Sequence, residues 1–202
     1  NNITFLLILV FCMPVIILFG QRTERYDGTY VAYYQAEDLM EKEQFSAARK
    51  KFENFADELN DEKDPFYIKA KYYAAISALA LFNSDAIQLL MDFNQKFPEN
   101  IYRNDSYFQI GLHFYQTKKY DDALAWFNKT NSRELDTAYL SEFYFKRGYV
   151  NFQLGNTAEA RNDFFEIKGN SSIYGSPALY YFSHIAYQNK TYQIALEGFL
   201  KL

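Results

Sequence analysis

Residues able to do bond-making chemistry are scarce in this sequence. The two histidines, His113 and His184, stand far apart, and neither has another histidine three or four residues away, the spacing at which one helix face can hold a metal. The single thiol, Cys12, lies inside an apolar leader, so no disulfide framework or cysteine-based metal site can form. The eight glycines are scattered singly, without the clustering that cradles a phosphate. Glu37 and Asp38, and the set Glu58, Asp61, Glu62 and Asp64, read as solvated helix faces and linkers rather than catalytic carboxylate pairs. No catalytic residue, cofactor or metal is expected, and the chain is read as not an enzyme. What is abundant is aromatic surface. Phe108, Leu112 and Tyr115, then Phe145, Tyr149 and Phe152, then Tyr180, His184 and Tyr187 each fall at i, i+4, i+7, which is one helical stripe. Gln116, Gln153 and Gln188 directly follow the last member of each stripe and can hydrogen-bond an extended backbone. Tyrosine and phenylalanine offer large contact area at low entropic cost and are enriched where proteins grip partners. The same rings can instead pack against neighbouring helices and never meet a ligand.

The elements that carry these stripes recur. An alanine followed by bulky residues four and seven positions on appears at Ala48, Phe52, Phe55 and at Ala86, Leu90, Phe93. It returns at Ala123, Phe127, Thr130, at Ala160, Phe164, Ile167 and at Ala195, Phe199, Leu202, with alanine steps of 38, 37, 37 and 35 residues. A second helical pattern precedes each alanine, most legibly Tyr107, Ile110, Gly111 and Phe114. Gly111 leaves room for a partner helix, Lys118 and Lys119 fill the turn, and Tyr120 packs ahead of Asp121, read as the N-cap region of the next helix, so the unit is a helical hairpin. The fourth unit repeats the order with Tyr144, Gly148, Gly155, Ala160 and Phe164. The first shows Ala36, Leu39, Phe45, Ala48 and Phe52, and the second Ala70, Tyr73, Ala74, Ala86, Leu90, Phe93 and a closing Pro98.

This order resembles the tetratricopeptide repeat (TPR), whose period is about 34 residues. The resemblance implies an all-α fold, a TPR-like α-solenoid of antiparallel helix hairpins with about five repeats, at approximately 29–63, 64–101, 102–138, 139–173 and 174–202. It also implies that the three aromatic stripes line the concave surface where such proteins bind peptides. The stripe lacks lysine and asparagine, so the carboxylate clamp of chaperone-binding TPR domains is not met. Arg147 and Asn151 depart from the pattern, standing where large apolar residues are expected, and the longer step keeps Sel1-like and other hairpin solenoids as an alternative.

Composition bounds the rest. One residue in five is aromatic, which excludes a disordered or collagen-like chain, and the net charge of −4 argues against a nucleic-acid surface. Ile3 to Gly20 is apolar except for Thr4, between the length of a signal-peptide core and that of a spanning helix. Residues 1–21 are therefore read as a signal peptide or membrane-anchor helix, 22–28 as a short linker and 29–202 as the repeat array. Export is expected, to the periplasm or to an envelope membrane anchor facing it. Arg22 and Arg25 would favour a cytoplasmic body if the leader is retained without a basic start before it. The five Asn-X-Ser/Thr patterns read as chance in so asparagine-rich a chain. The segment from Thr191 to Leu202 is too apolar for a solenoid cap, so the chain is expected to be the N-terminal part of a larger exported bacterial array, or to be covered there by another subunit. The expected partners are other proteins, either extended peptide segments or envelope-complex subunits, with membrane contact through the leader if it is kept. The expected role is a protein-interaction scaffold or adaptor. The alternative is a structural subunit of a membrane-anchored envelope complex assembling through its leader and repeat ends.

Overall fold

The computed structural model describes Gly28 and residues 30–202; the leader (1–21) and all of the linker (22–28) but Gly28 lie outside the described residues. Within them the chain forms ten helices and no strand. They are α1 (Val31–Glu41), α2 (Phe45–Leu59), α3 (Pro65–Ala80), α4 (Ala86–Lys96), α5 (Arg103–Gln116), α6 (Tyr120–Phe127), α7 (Thr137–Gln153), α8 (Thr157–Ile167), α9 (Gly175–Gln188) and α10 (Tyr192–Phe199). Consecutive helices pack on one another, and α1 touches α3 as α5 touches α7. The architecture is a TPR-like α-solenoid of antiparallel hairpins. None of the described helices is long and apolar enough to cross a membrane.

The recurring alanines stand where paired helices meet. Ala48, Ala86, Ala123 and Ala160 are fully buried and Ala195 nearly so, because only a methyl group fits between the helices there. On the facing helix a Cβ at Gly111 would lie 2.6 Å from two ring carbons of Phe127, and one at Gly148 would lie 3.0 Å from Phe164. The last hairpin exchanges the two roles. Ser183 of α9 occupies the equivalent place and the small residue has moved to Gly198 of α10, where a Cβ would meet the Ser183 hydroxyl.

Each hairpin turns the same way. The second residue after the first helix adopts the left-handed conformation, at Glu43 (φ 57°), Phe82 (54°), Lys118 (59°), Gly155 (80°) and Lys190 (60°). The amide after it then donates back five residues: Gln44 to Leu39, Asn83 to Ala78, Lys119 to Phe114, Asn156 to Asn151 and Thr191 to Ala186, all within 2.8–3.0 Å. This pairing satisfies carbonyls that a helix end leaves open. Only Gly155 takes the left-handed conformation without a Cβ penalty. Lys118→Gly is therefore expected to raise stability by about 0.5–1 kcal/mol and Gly155→Ala to lower it by about 1 kcal/mol; urea midpoints of the two variants check both signs.

Helix starts are capped less uniformly. Asp64 and Asp136 accept from the amides of Phe66 (2.7 Å) and Ala138 (2.9 Å), opening α3 and α7. Asp121 is not a cap: α6 begins at Tyr120, Lys119 precedes it without a side-chain bond, and Asp121 lies in the first turn beside Asp122.

Arg147 and Asn151 have a polar answer. Both point at Asp163 of α8, which is only 4% exposed. Arg147 donates from Nε at 3.0 Å and from Nη2 at 2.5 Å to the carboxylate, and Asn151 donates from Nδ2 at 3.3 Å. The fourth hairpin thus replaces an apolar contact with a bidentate ion pair.

Candidate partner-binding site

The three stripes lie on the first helices of the last three hairpins, α5, α7 and α9. Their fates differ. Phe108 is 0% exposed, enclosed by Phe127 (6.2 Å between ring centres), Tyr139 (5.9 Å) and Phe143 (6.0 Å), so the expectation that it meets a partner is corrected: it is core. Crowding by the α7 rings explains this, since Phe108 points into the crossing of three helices. Leu112 is half-buried against the same cluster.

The remaining rings form a seam that crosses the helices. Tyr115 of α5 meets Tyr149 of α7 at 5.8 Å, and Tyr149 meets Tyr181 of α9 at 5.6 Å, both edge to face. Phe145 and Phe152 close on Tyr181 at 6.2 and 5.3 Å, and Phe152 continues to His184 at 5.9 Å. His184 stacks on Tyr180 at 6.1 Å with the rings 11° apart. Such pairs each contribute about 0.5–1.5 kcal/mol beyond their buried area, which makes the seam a stiff platform. It is not fully covered: Tyr180 is 47% exposed, while Tyr115, Tyr149, Phe145, Phe152 and His184 are half-buried. Tyr187 stands apart, 58% exposed and in ring contact with Tyr192 of α10. Gln116, Gln153 and Gln188 are exposed at the C-terminal ends of their helices.

Residues outside the stripes complete it. Tyr181 is the hub, also stacking on Phe164 at 5.2 Å. Tyr120 reaches Tyr149 at 6.3 Å, Tyr174 reaches Phe145 at 5.3 Å, and the Lys146 ammonium sits 4.4 Å above the Tyr115 ring. The available signal was an aromatic doublet within each of the three helices, Tyr107–Phe108, Tyr144–Phe145 and Tyr180–Tyr181.

The phenols are held neutral. Burial, with Tyr149 and Tyr120 nearby, pushes Tyr115 up to about 12, and burial with Glu142 does the same for Tyr174. Burial also raises Tyr181. Each hydroxyl can therefore donate and accept at neutral pH. The folded chain keeps these protons where the unfolded chain, with phenols near 10, has lost them, so stability falls as pH rises from 10 to 12. Urea midpoints measured across that interval should decline, with Tyr115→Phe flattening the decline.

The first two hairpins differ, with buried tyrosines bonded to carboxylates. Tyr33 donates to Glu37 at 2.8 Å and Lys69 reaches Glu37 at 3.1 Å, while Tyr72 donates to Asp105 and stacks on Tyr102 at 4.3 Å. Burial lowers the His113 pKa, with Lys119 adding to the effect, and its ring lies beside Phe82 and Phe114. No group of three His, Cys, Asp or Glu able to hold a metal exists among the described residues.

Comparison with known proteins agrees on the class. No protein-family model matches the chain, and neither does any curated protein sequence. Solved structures do. MamA AMB-1 superposes with a TM-score of 0.62 at 18% identity, over 86% of this chain and 88% of that one. A second crystal structure of MamA gives 0.60 at 16% identity over 82% and 91%, and MamA MSR-1 gives 0.59 at 19% identity over 86% and 93%. At these identities the likeness is one of fold.

Proposed function

We propose that this chain is a non-enzymatic protein-interaction scaffold that holds an extended segment of another protein along the seam of α5, α7 and α9. One observation carries the reading: partly exposed rings run without a break from Tyr115 through Tyr149 and Tyr181 to Tyr180 and His184, across three successive first helices. A rigid, partly open aromatic platform flanked by glutamines suits a peptide whose apolar side chains cover the rings while its backbone bonds to the amides. The apolar run from Ile3 to Gly20 supports export to the cell envelope, as a cleaved signal or a retained anchor. A second reading, a structural subunit docking through its last hairpin, is favoured by the exposed apolar residues Tyr192, Leu196, Leu200 and Leu202 on and after α10.

Capture from native envelope followed by mass spectrometry tests the seam. Tyr149→Ala with Tyr180→Ala should abolish recovery of the partner while far-UV circular dichroism stays unchanged. Full recovery by that variant refutes the seam, and loss only on Leu196→Glu with Leu200→Glu selects the second reading.

A further inference from the structure

A second concave region lies between the second and third hairpins, on the α4 and α6 side of α5. It has two adjoining lobes of 440 and 340 Å³, and Arg103, Tyr107 and Lys129 line both. Trp126 walls the larger lobe, with the Lys129 ammonium 3.8 Å above its ring and Tyr107 at 5.7 Å. Three carboxylates border the region. Asp92 accepts from Gln88 at 2.7 Å and Glu134 from Asn131 at 2.7 Å, while Glu99 stands at the loop end. None of them lies within ion-pairing distance of Arg103 or Lys129.

Unsatisfied polar atoms gather here. Of the five enclosed side-chain atoms without a hydrogen-bond partner among the described residues, three line this region: Asn94 Nδ2, Asn100 Oδ1 and Arg103 Nε. Arg103 Nε is the one arginine or lysine nitrogen in that set. An enclosed donor lacking an acceptor is destabilising, the more so when charged, so an acceptor that reaches it recovers that loss. A guanidinium fork matches a carboxylate with two parallel bonds.

We propose that this cleft binds a glutamate-bearing segment of a partner protein. Arg103 takes the carboxylate in bidentate fashion, Lys129 supplies the second positive charge, and Tyr107 and Trp126 cover the aliphatic stem. The site shares no residue with the aromatic seam and stands whether or not the seam holds a partner.

Trp126 is the only tryptophan in the sequence, so its fluorescence reports the cleft directly. The probe is a blocked octapeptide alternating glutamate and serine, with its glutamine counterpart as control, titrated into the full chain. A saturable fluorescence change with the glutamate peptide alone is expected. Arg103→Gln should weaken it about tenfold or more, and Arg103→Lys, which keeps the charge but loses the fork, by several-fold. Tyr149→Ala with Tyr180→Ala should leave it unchanged. An equal response to the glutamine peptide, no response at all, or undiminished binding by both Arg103 variants with native circular dichroism overturns the proposal.

Discussion

Replacing Arg147 with methionine lowers the unfolding free energy at neutral pH by about 3–5 kcal/mol, the usual consequence of stranding one member of a buried ion pair. The Asp163 side chain is 5% exposed and draws its principal hydrogen bonds from the Arg147 guanidinium, with Asn151 supplying one longer bond at 3.3 Å. Burial already raises the Asp163 pKa, and Arg147 and Asn151 oppose that rise. Without the guanidinium the carboxyl binds its proton still more tightly in the folded chain than in the unfolded one. The cost of the variant is then greatest where Asp163 must ionise and shrinks as the pH falls toward 4. Adding Asp163→Leu should recover most of the loss, because an apolar pair of similar size removes the buried charge altogether. Urea unfolding of the parent and both variants at pH 7 and pH 4.5 gives the six numbers needed. A single variant as stable as the parent at pH 7 would mean that water reaches Asp163 freely.

What could be read in advance follows from the range of each force. The alanine recurrence and Gly111 were legible because close helix approach demands a small side chain at a fixed place in every hairpin, whatever surrounds it. The left-handed turn residues were legible only at Gly155. At Glu43, Phe82, Lys118 and Lys190 nothing local marks the conformation, and it is imposed by the helix pair on either side. Arg147 and Asn151 looked like breaks in the pattern because their partner, Asp163, lies on another helix. The seam was half legible. Helical period placed Tyr115, Tyr149, Phe152 and His184 on one face, but whether a ring is open or enclosed depends on the helix laid against it. That is why Phe108 is core while Tyr149 is not, and why Tyr181, Tyr120 and Tyr174 were missed.

Phe127→Ala should cost about 3–5 kcal/mol, since the ring is fully buried and packs against Phe108, Phe143 and the bare backbone of Gly111. Gly111→Leu should cost about 1–3 kcal/mol for the opposite reason, too much volume where even a Cβ comes within 2.6 Å of the Phe127 ring. The two changes are complementary in shape. Combined, the leucine enters the space the ring has left, so the double variant should be more stable than the sum of the single losses allows, by about 1 kcal/mol or more. This coupling is the discriminating measurement, because each single loss could arise from any crowded core. Strict additivity in urea unfolding would show that Gly111 and Phe127 do not meet, and with it would go the pairing of α5 with α6 on which the register of the aromatic seam depends.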